Sequence, residues 1–157
     1  MLTTSRLIQL LYDEVQTIAQ DADFLFPGEK GKLSHPIVYK YFLPPRNKIE
    51  QTKRAYIALQ LGKEKQDMQQ DTDSIDIHFQ LVFGLYHDSV EVAEGLDTLV
   101  SALERLEIVL KDIGLLDQNA EMVSIEKEIS HEQPIPYLEG VIRLHYTYYK
   151  PVKRYEP

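Results

Sequence analysis

The clearest pattern in the chain is strict alternation over residues 75–86. Ile75, Ile77, Phe79, Leu81, Phe83 and Leu85 alternate with Asp76, His78, Gln80, Val82, Gly84 and Tyr86. Successive strand side chains point to opposite faces, so a period of two predicts a strand with one apolar face. Residues 54–61 repeat it, with Ala55, Ile57, Leu59 and Leu61 against Tyr56, Ala58 and Gln60. Residues 36–43 are rich in β-branched and aromatic side chains and predict a third strand, stopped by Pro44-Pro45. Val123, Ile125 and Ile129 mark a short strand, and Ile142, Leu144, Tyr146 and Tyr148 a last one that Pro151 ends.

Two segments change to steps of three and four, the spacing of one helix face. Within 3–20 these are Leu7, Ile8, Leu11, Val15 and Ile18, behind a capping residue among Thr3, Thr4 and Ser5. Within 89–113 they run from Val92 through Leu99 and Leu106 to Ile113. Asp88 and Glu91 there have capping-box spacing, and Gly114 is placed as the stop. Residues 21–34, with Pro27, Gly28 and Gly31, read as a loop, and 46–53 as a polar connector. The polar stretch 62–74, thirteen residues long, predicts a mobile loop.

The predicted order is α-β-β-β-α-β-β. It describes one α+β domain over 1–150, a mainly antiparallel sheet with two α-helices packed on one face, and a basic tail at 151–157. The opposite face carries His78, Gln80, Val82, Tyr86, Arg143, His145 and Tyr149. Ten tyrosines without a tryptophan fit an interaction surface and equally fit strand propensity.

Composition narrows the function classes. The absence of cysteine excludes disulfides, thiolate metal sites and cysteine nucleophiles. With 17 Lys and Arg against 25 Asp and Glu, the net charge of −8 argues against gripping nucleic acid through a basic surface. No apolar run approaches the roughly 20 residues of a membrane span, and the N-terminus lacks the pattern of a signal peptide. A cytosolic or assembled soluble protein is expected. The charge is segregated: residues 1–61 carry +2, 62–140 carry −13 and 141–157 carry +3. Either the middle of the chain is a solvated acidic surface, or it repels something polyanionic.

Catalytic and metal motifs are scarce. No two of His35, His78, His87, His131 and His145 stand four apart on a helix. A metal site from His78, His145 and a carboxylate would have to form across strands. The run Asp71 to Asp76 lacks the glycine and the last glutamate of a calcium loop. Neither a phosphate-binding glycine loop nor a serine elbow occurs. The expectation is a protein without enzymatic activity or cofactor.

One stretch stands apart. In Glu132-Gln133-Pro134-Ile135-Pro136-Tyr137-Leu138-Glu139-Gly140 the two prolines hold the backbone extended before the last strand. It reads either as a rigid connector or as a segment presented to a neighbouring subunit. Together with Gly84-Leu85-Tyr86-His87-Asp88 and Gly95-Leu96-Asp97-x-Leu99, it resembles the tail terminator, or tail completion, proteins of long-tailed bacteriophages and prophages. The resemblance spans most of residues 5–150 as scattered pattern and is most specific from Gln133 to Gly140.

It implies a virion-assembly subunit, made in the bacterial cytoplasm, that forms a homo-oligomeric ring, usually a hexamer. The ring caps the tail tube, meets the tube protein and the head connector protein, and lets DNA pass without specific binding. Interface candidates are then Gln133, Pro134, Pro136, Tyr137, Tyr86 and Tyr149. Glu91, Glu94, Glu104 and Glu107 are candidates to face the channel, where acidic side chains repel phosphate. Two other classes compete: an intracellular protein-binding adaptor that forms no ring, and a hydrolase with metal on His78 and His145.

Overall fold

A computed structural model describes residues 3–68, 72–87, 92–113, 115–116, 120–130, 133 and 136–151. Helix α1 (Thr4–Ala19) starts where the Thr3 hydroxyl accepts the Arg6 N–H at 3.1 Å, satisfying one of the four amides a helix start leaves open. Its periodic residues are buried, Leu7, Leu11 and Val15 completely. The segment predicted as a loop, 21–34, contains a small antiparallel hairpin of β1 (Phe26–Pro27) and β2 (Leu33–Ser34). Strand β3 (Ile37–Lys40) follows, and then a helix that periodicity did not show, α2 (Arg46–Thr52).

Helix α2 is too short to display a repeat, because it has one buried apolar residue, Ile49. It is held at its ends. Arg46 pairs with Glu50 four residues on at 3.2 Å. The Ile49 carbonyl accepts from the Thr52 hydroxyl at 2.7 Å and from the Tyr137 hydroxyl at 2.8 Å. Lys53, left-handed at φ 48°, ends the helix.

The remaining elements are β4 (Tyr56–Met68), β5 (Thr72–Tyr86), α3 (Val92–Ile113), β6 (Leu115–Leu116), β7 (Ala120–Ile129) and β8 (Tyr137–Pro151). Among the described residues the main sheet has six strands in the order β3-β4-β5-β8-β7-β6. Every neighbouring pair is antiparallel except β3 and β4, which are parallel and joined through α2. The α+β class is as the sequence predicts. Among the described residues the expected order and count of two helices give way to three α-helices, a separate hairpin and the short strand β6.

The loop expected at 62–74 is instead strand through Met68 and again from Thr72. A β-bulge explains why alternation failed to show it. Between the pairs Leu61↔Phe79 and Glu64↔Ile77 the β4 strand carries one extra residue, which exchanges the faces of everything beyond. Glu64 is thereby opposite inward-facing Ile77, and its carboxylate accepts from the Thr4 hydroxyl at the start of α1. Strand β7 has a matching irregularity between Met122 and Ser124. Both lie level with the His78↔His145 pair of the two central strands.

One sheet face packs on α1 and α3. Its core includes Ile57, Leu59, Phe79, Leu81, Phe83, Ile142 and Leu144 from the strands, and Leu99, Leu103 and Leu106 from α3. The other face has its own smaller core, where Ile49 of α2 covers Tyr56, Ala58, Val82, Tyr86 and Tyr137. The helices expected on one side are therefore joined by a third on the other. No helix among the described residues is long and apolar enough to cross a membrane.

Candidate functional site

The outer sheet face has a covered end and an open end on the same strands. At the covered end three tyrosines meet: Tyr137 lies 5.3 Å from the Tyr56 ring and 5.6 Å from that of Tyr86, with the Arg46 guanidinium 5.1 Å over its own ring. Tyr56, Gly84 and Glu139 form one row across three strands. A Cβ on Gly84 would come within 2.2 Å of the Tyr56 ring, so the missing side chain lets that ring cross the strand. Its hydroxyl then donates to the Glu139 carboxylate. Burial, followed by this carboxylate, raises the Tyr56 phenol far above its ordinary value.

These facts change the roles expected for the Gln133–Gly140 segment. Tyr137 and Tyr86, expected at an interface, are buried in the second core. Gln133 is an internal brace: its side-chain carbonyl accepts the Glu139 N–H at 2.6 Å while its amide donates to the Ser130 carbonyl. One amide side chain thus takes the place of a missing strand neighbour. The Pro136 carbonyl accepts the His87 N–H at 2.7 Å and extends the β5–β8 ladder. Pro134 lies outside the described residues, as does the Tyr149 side chain on β8. The glycines of the resemblance are also points of close approach. A Cβ on Gly95 would fall 2.6 Å from Leu138, and one on Gly140 2.5 Å from Leu103.

The expected channel glutamates separate in the same way. Glu94 and Glu104 are exposed on α3. Glu107 is held between Lys111 at 2.8 Å and Lys127 at 2.9 Å, whose hydrogen bonds lower its carboxyl below the usual range. It is not a free acidic group. Glu91, and with it the proposed capping box, lies outside the described residues. The exposed side of α3 also carries Val100 and Ile108, 40% and 62% exposed, which suits contact with protein better than a wall that only repels phosphate.

At the open end, the His78 and His145 rings stack with centroids 4.3 Å apart. His145 Nε2 lies 3.1 Å from Asp76 Oδ1, which also accepts from the Thr147 hydroxyl. The Thr147 hydrogen bond, with help from His145, lowers the Asp76 carboxyl. Desolvation, then repulsion by His145, lowers the His78 imidazole. The structure therefore brings together the histidines that the hydrolase reading requires, but as a stacked pair braced by one carboxylate. Among the described residues no group of three His, Asp or Glu side chains is placed to hold a metal ion.

The two sheet edges are also open. Strand β6 covers β7 only at Ala120 and Glu121, so among the described residues Met122–Ile129 pair with β8 on one side and have no strand on the other. Beside it, Val100, Leu103 and Ile129 line a recess of about 130 Å³ rimmed by Lys127 and Glu128. At the opposite edge, β3 ends in a tight turn: the Phe42 N–H donates to the Lys40 carbonyl at 3.0 Å around Tyr41, whose φ is +75°. Lys40 holds Tyr41 down, with its ammonium 5.4 Å from that ring and 5.5 Å from the Tyr12 ring of α1. Phe42 is left 83% exposed. No sequence signal distinguishes Phe42 from a buried strand residue, since only the positive φ turns it outward.

Fold and surface together define an α+β protein with open sheet edges and an outer face that is open and polar at one end. No family model matches the chain, and no curated protein matches it.

Proposed function

We propose that the chain is a structural assembly subunit of the tail-terminator kind, forming a ring that ends a phage tail tube and joins it to the head. The observation that supports this reading is where the residues of the resemblance lie. Gly84, Gly95, Gln133, Tyr137 and Gly140 are scattered over 57 positions of sequence, yet all pack or bond inside the subunit: Gly95 and Gly140 where α3 meets β8, Gly84 and Tyr137 in the outer core beneath α2, and Gln133 across the connection from β7 to β8. The resemblance thus marks how the subunit is built, and assembly contacts fall to the open edges. A head-to-tail contact between two different edges is the heterologous kind that closes into rings. DNA passes such a ring without being held, in keeping with the net charge of −8.

The test is to mix purified protein with isolated tail tubes and image the tube ends by electron microscopy. Rings at one end are expected. Bare ends, with the protein remaining monomeric, would replace this reading with the adaptor.

A further inference from the structure

The two open edges of the sheet are unlike each other in charge and in shape. Residues 30–54, which hold β3, the Phe42 turn and α2, carry seven Lys and Arg against one acidic residue, Glu50. The described residues between 92 and 130, which hold α3, β6 and β7, include eight Asp and Glu against three Lys and Arg. The segment at one edge is therefore +6 in formal charge and the described part of the segment at the other is −5, with Lys53 paired to Glu29 and Arg46 to Glu139 from outside the first segment. The basic edge projects Phe42, and the acidic edge holds the recess between Val100, Leu103 and Ile129. A cavity of about 150 Å³ accommodates benzene, so a recess of about 130 Å³ with an open mouth is of the size for one phenyl ring.

We infer that Phe42 of one copy seats in the Val100–Leu103–Ile129 recess of a second copy, with the basic β3 edge lying along the acidic β7 edge. A copy cannot make this contact with itself. Strands β3 and β7 are four strand spacings apart, about 19 Å across the sheet. The levels along the strands agree: Lys40, Leu59, Leu81, Ile142 and Lys127 form one row, so Phe42 and the recess lie at neighbouring heights on opposite edges. Opposite charge brings the two edges together and disfavours like edges meeting. The contact is head to tail, so each copy keeps one free edge for the next. This deepens the ring reading and rests on it for its biological setting, though the contact itself is argued from the edges alone.

The experiment uses full-length Phe42→Asp and Val100→Asp chains, both altered at exposed positions and checked for the wild-type circular dichroism spectrum. Wild-type protein is expected to self-associate in sedimentation at concentrations up to about 1 mM, where even a millimolar dissociation constant registers. That association should weaken as salt is raised. Each variant alone is expected to be monomeric. Mixed, they should form a 1:1 dimer that does not grow, because one intact edge remains on each. Wild-type protein that stays monomeric, variants that associate like wild type, or a mixture without dimer would each overturn the inference. The mixed dimer forming while wild-type protein leaves tail tubes bare would remove the tail reading and keep the contact; capped tubes with both variants still forming rings would do the reverse.

Discussion

The two ends of the outer sheet face are built on the same three strands, β4, β5 and β8, and have opposite characters. At one end Tyr56, Tyr86 and Tyr137 are sealed beneath α2, with Tyr137 completely buried. At the other, Asp76 bonds to His145 and Thr147 while His78 stacks on His145, all in reach of water. The difference comes from a single turn and a seven-residue helix, since the turn around Tyr41 ends β3 at Lys40 and α2, opening after Pro45, returns across one end only. Polar or aromatic character along a strand thus says which face a residue takes. Whether that face meets water depends on what folds back over it.

The contrast is tested most sharply by truncating one side chain from each end. Tyr137→Ala is expected to cost about 4 kcal/mol, since it opens a cavity among three rings and removes a hydrogen bond to α2. His145→Ala should cost less than about 1 kcal/mol, because its partner Asp76 remains hydrated. Urea midpoints measure both, and similar losses would mean that the two ends are not different in kind. Gly84→Ala is expected to cost about 2–3 kcal/mol by pushing its Cβ into the Tyr56 ring. A midpoint unchanged from wild type would show that the ring does not cross the strand there.

The smallest effect is a dependence on pH confined to the open end. His78 and Asp76 both have folded values below their ordinary 6.5 and 3.8. Each contribution is therefore complete above the ordinary value and is lost as pH falls through the lowered one. Stability should decline gently from about pH 6.5 downward, and His78→Asn should flatten the upper part of that decline. Tyr56 moves in the opposite direction, so its contribution is present below its ordinary 10.0 and is lost only in strong alkali. Denaturation midpoints from pH 4 to 8 that coincide for wild type and His78→Asn would remove the pH response from the open end.

Much of the framework was legible in the chain. The period of two in 75–86 and the three-and-four spacing of α1 and α3 survive because each element is long enough to repeat its pattern. Helix α2 escaped because a lone Ile49 makes no pattern. The outer parts of β4 and β5 escaped because the bulge breaks alternation at the point where both faces become polar. The candidate site was read less well. The proline-held segment and the resemblance suggest an interface for Gln133 and Tyr137, and residue type does so for Tyr86, whereas both tyrosines lie in the second core and Gln133 bonds to Glu139. Phe42, the most exposed large apolar side chain among those described, sat unremarked in a strand-like run.

By itself the sequence determined the class of fold, the apolar face of each long element, and the segregation of charge along the chain. Those properties arise between neighbours a few residues apart, where backbone geometry sets the period. Only the tertiary structure decided which half of the outer face is closed, where the strand faces exchange, and that the strands of the two charge blocks, β3 and β7, lie toward opposite edges. Each of these depends on contacts between distant segments, such as the Tyr137 hydroxyl on the Ile49 carbonyl 88 residues away, that no local pattern carries.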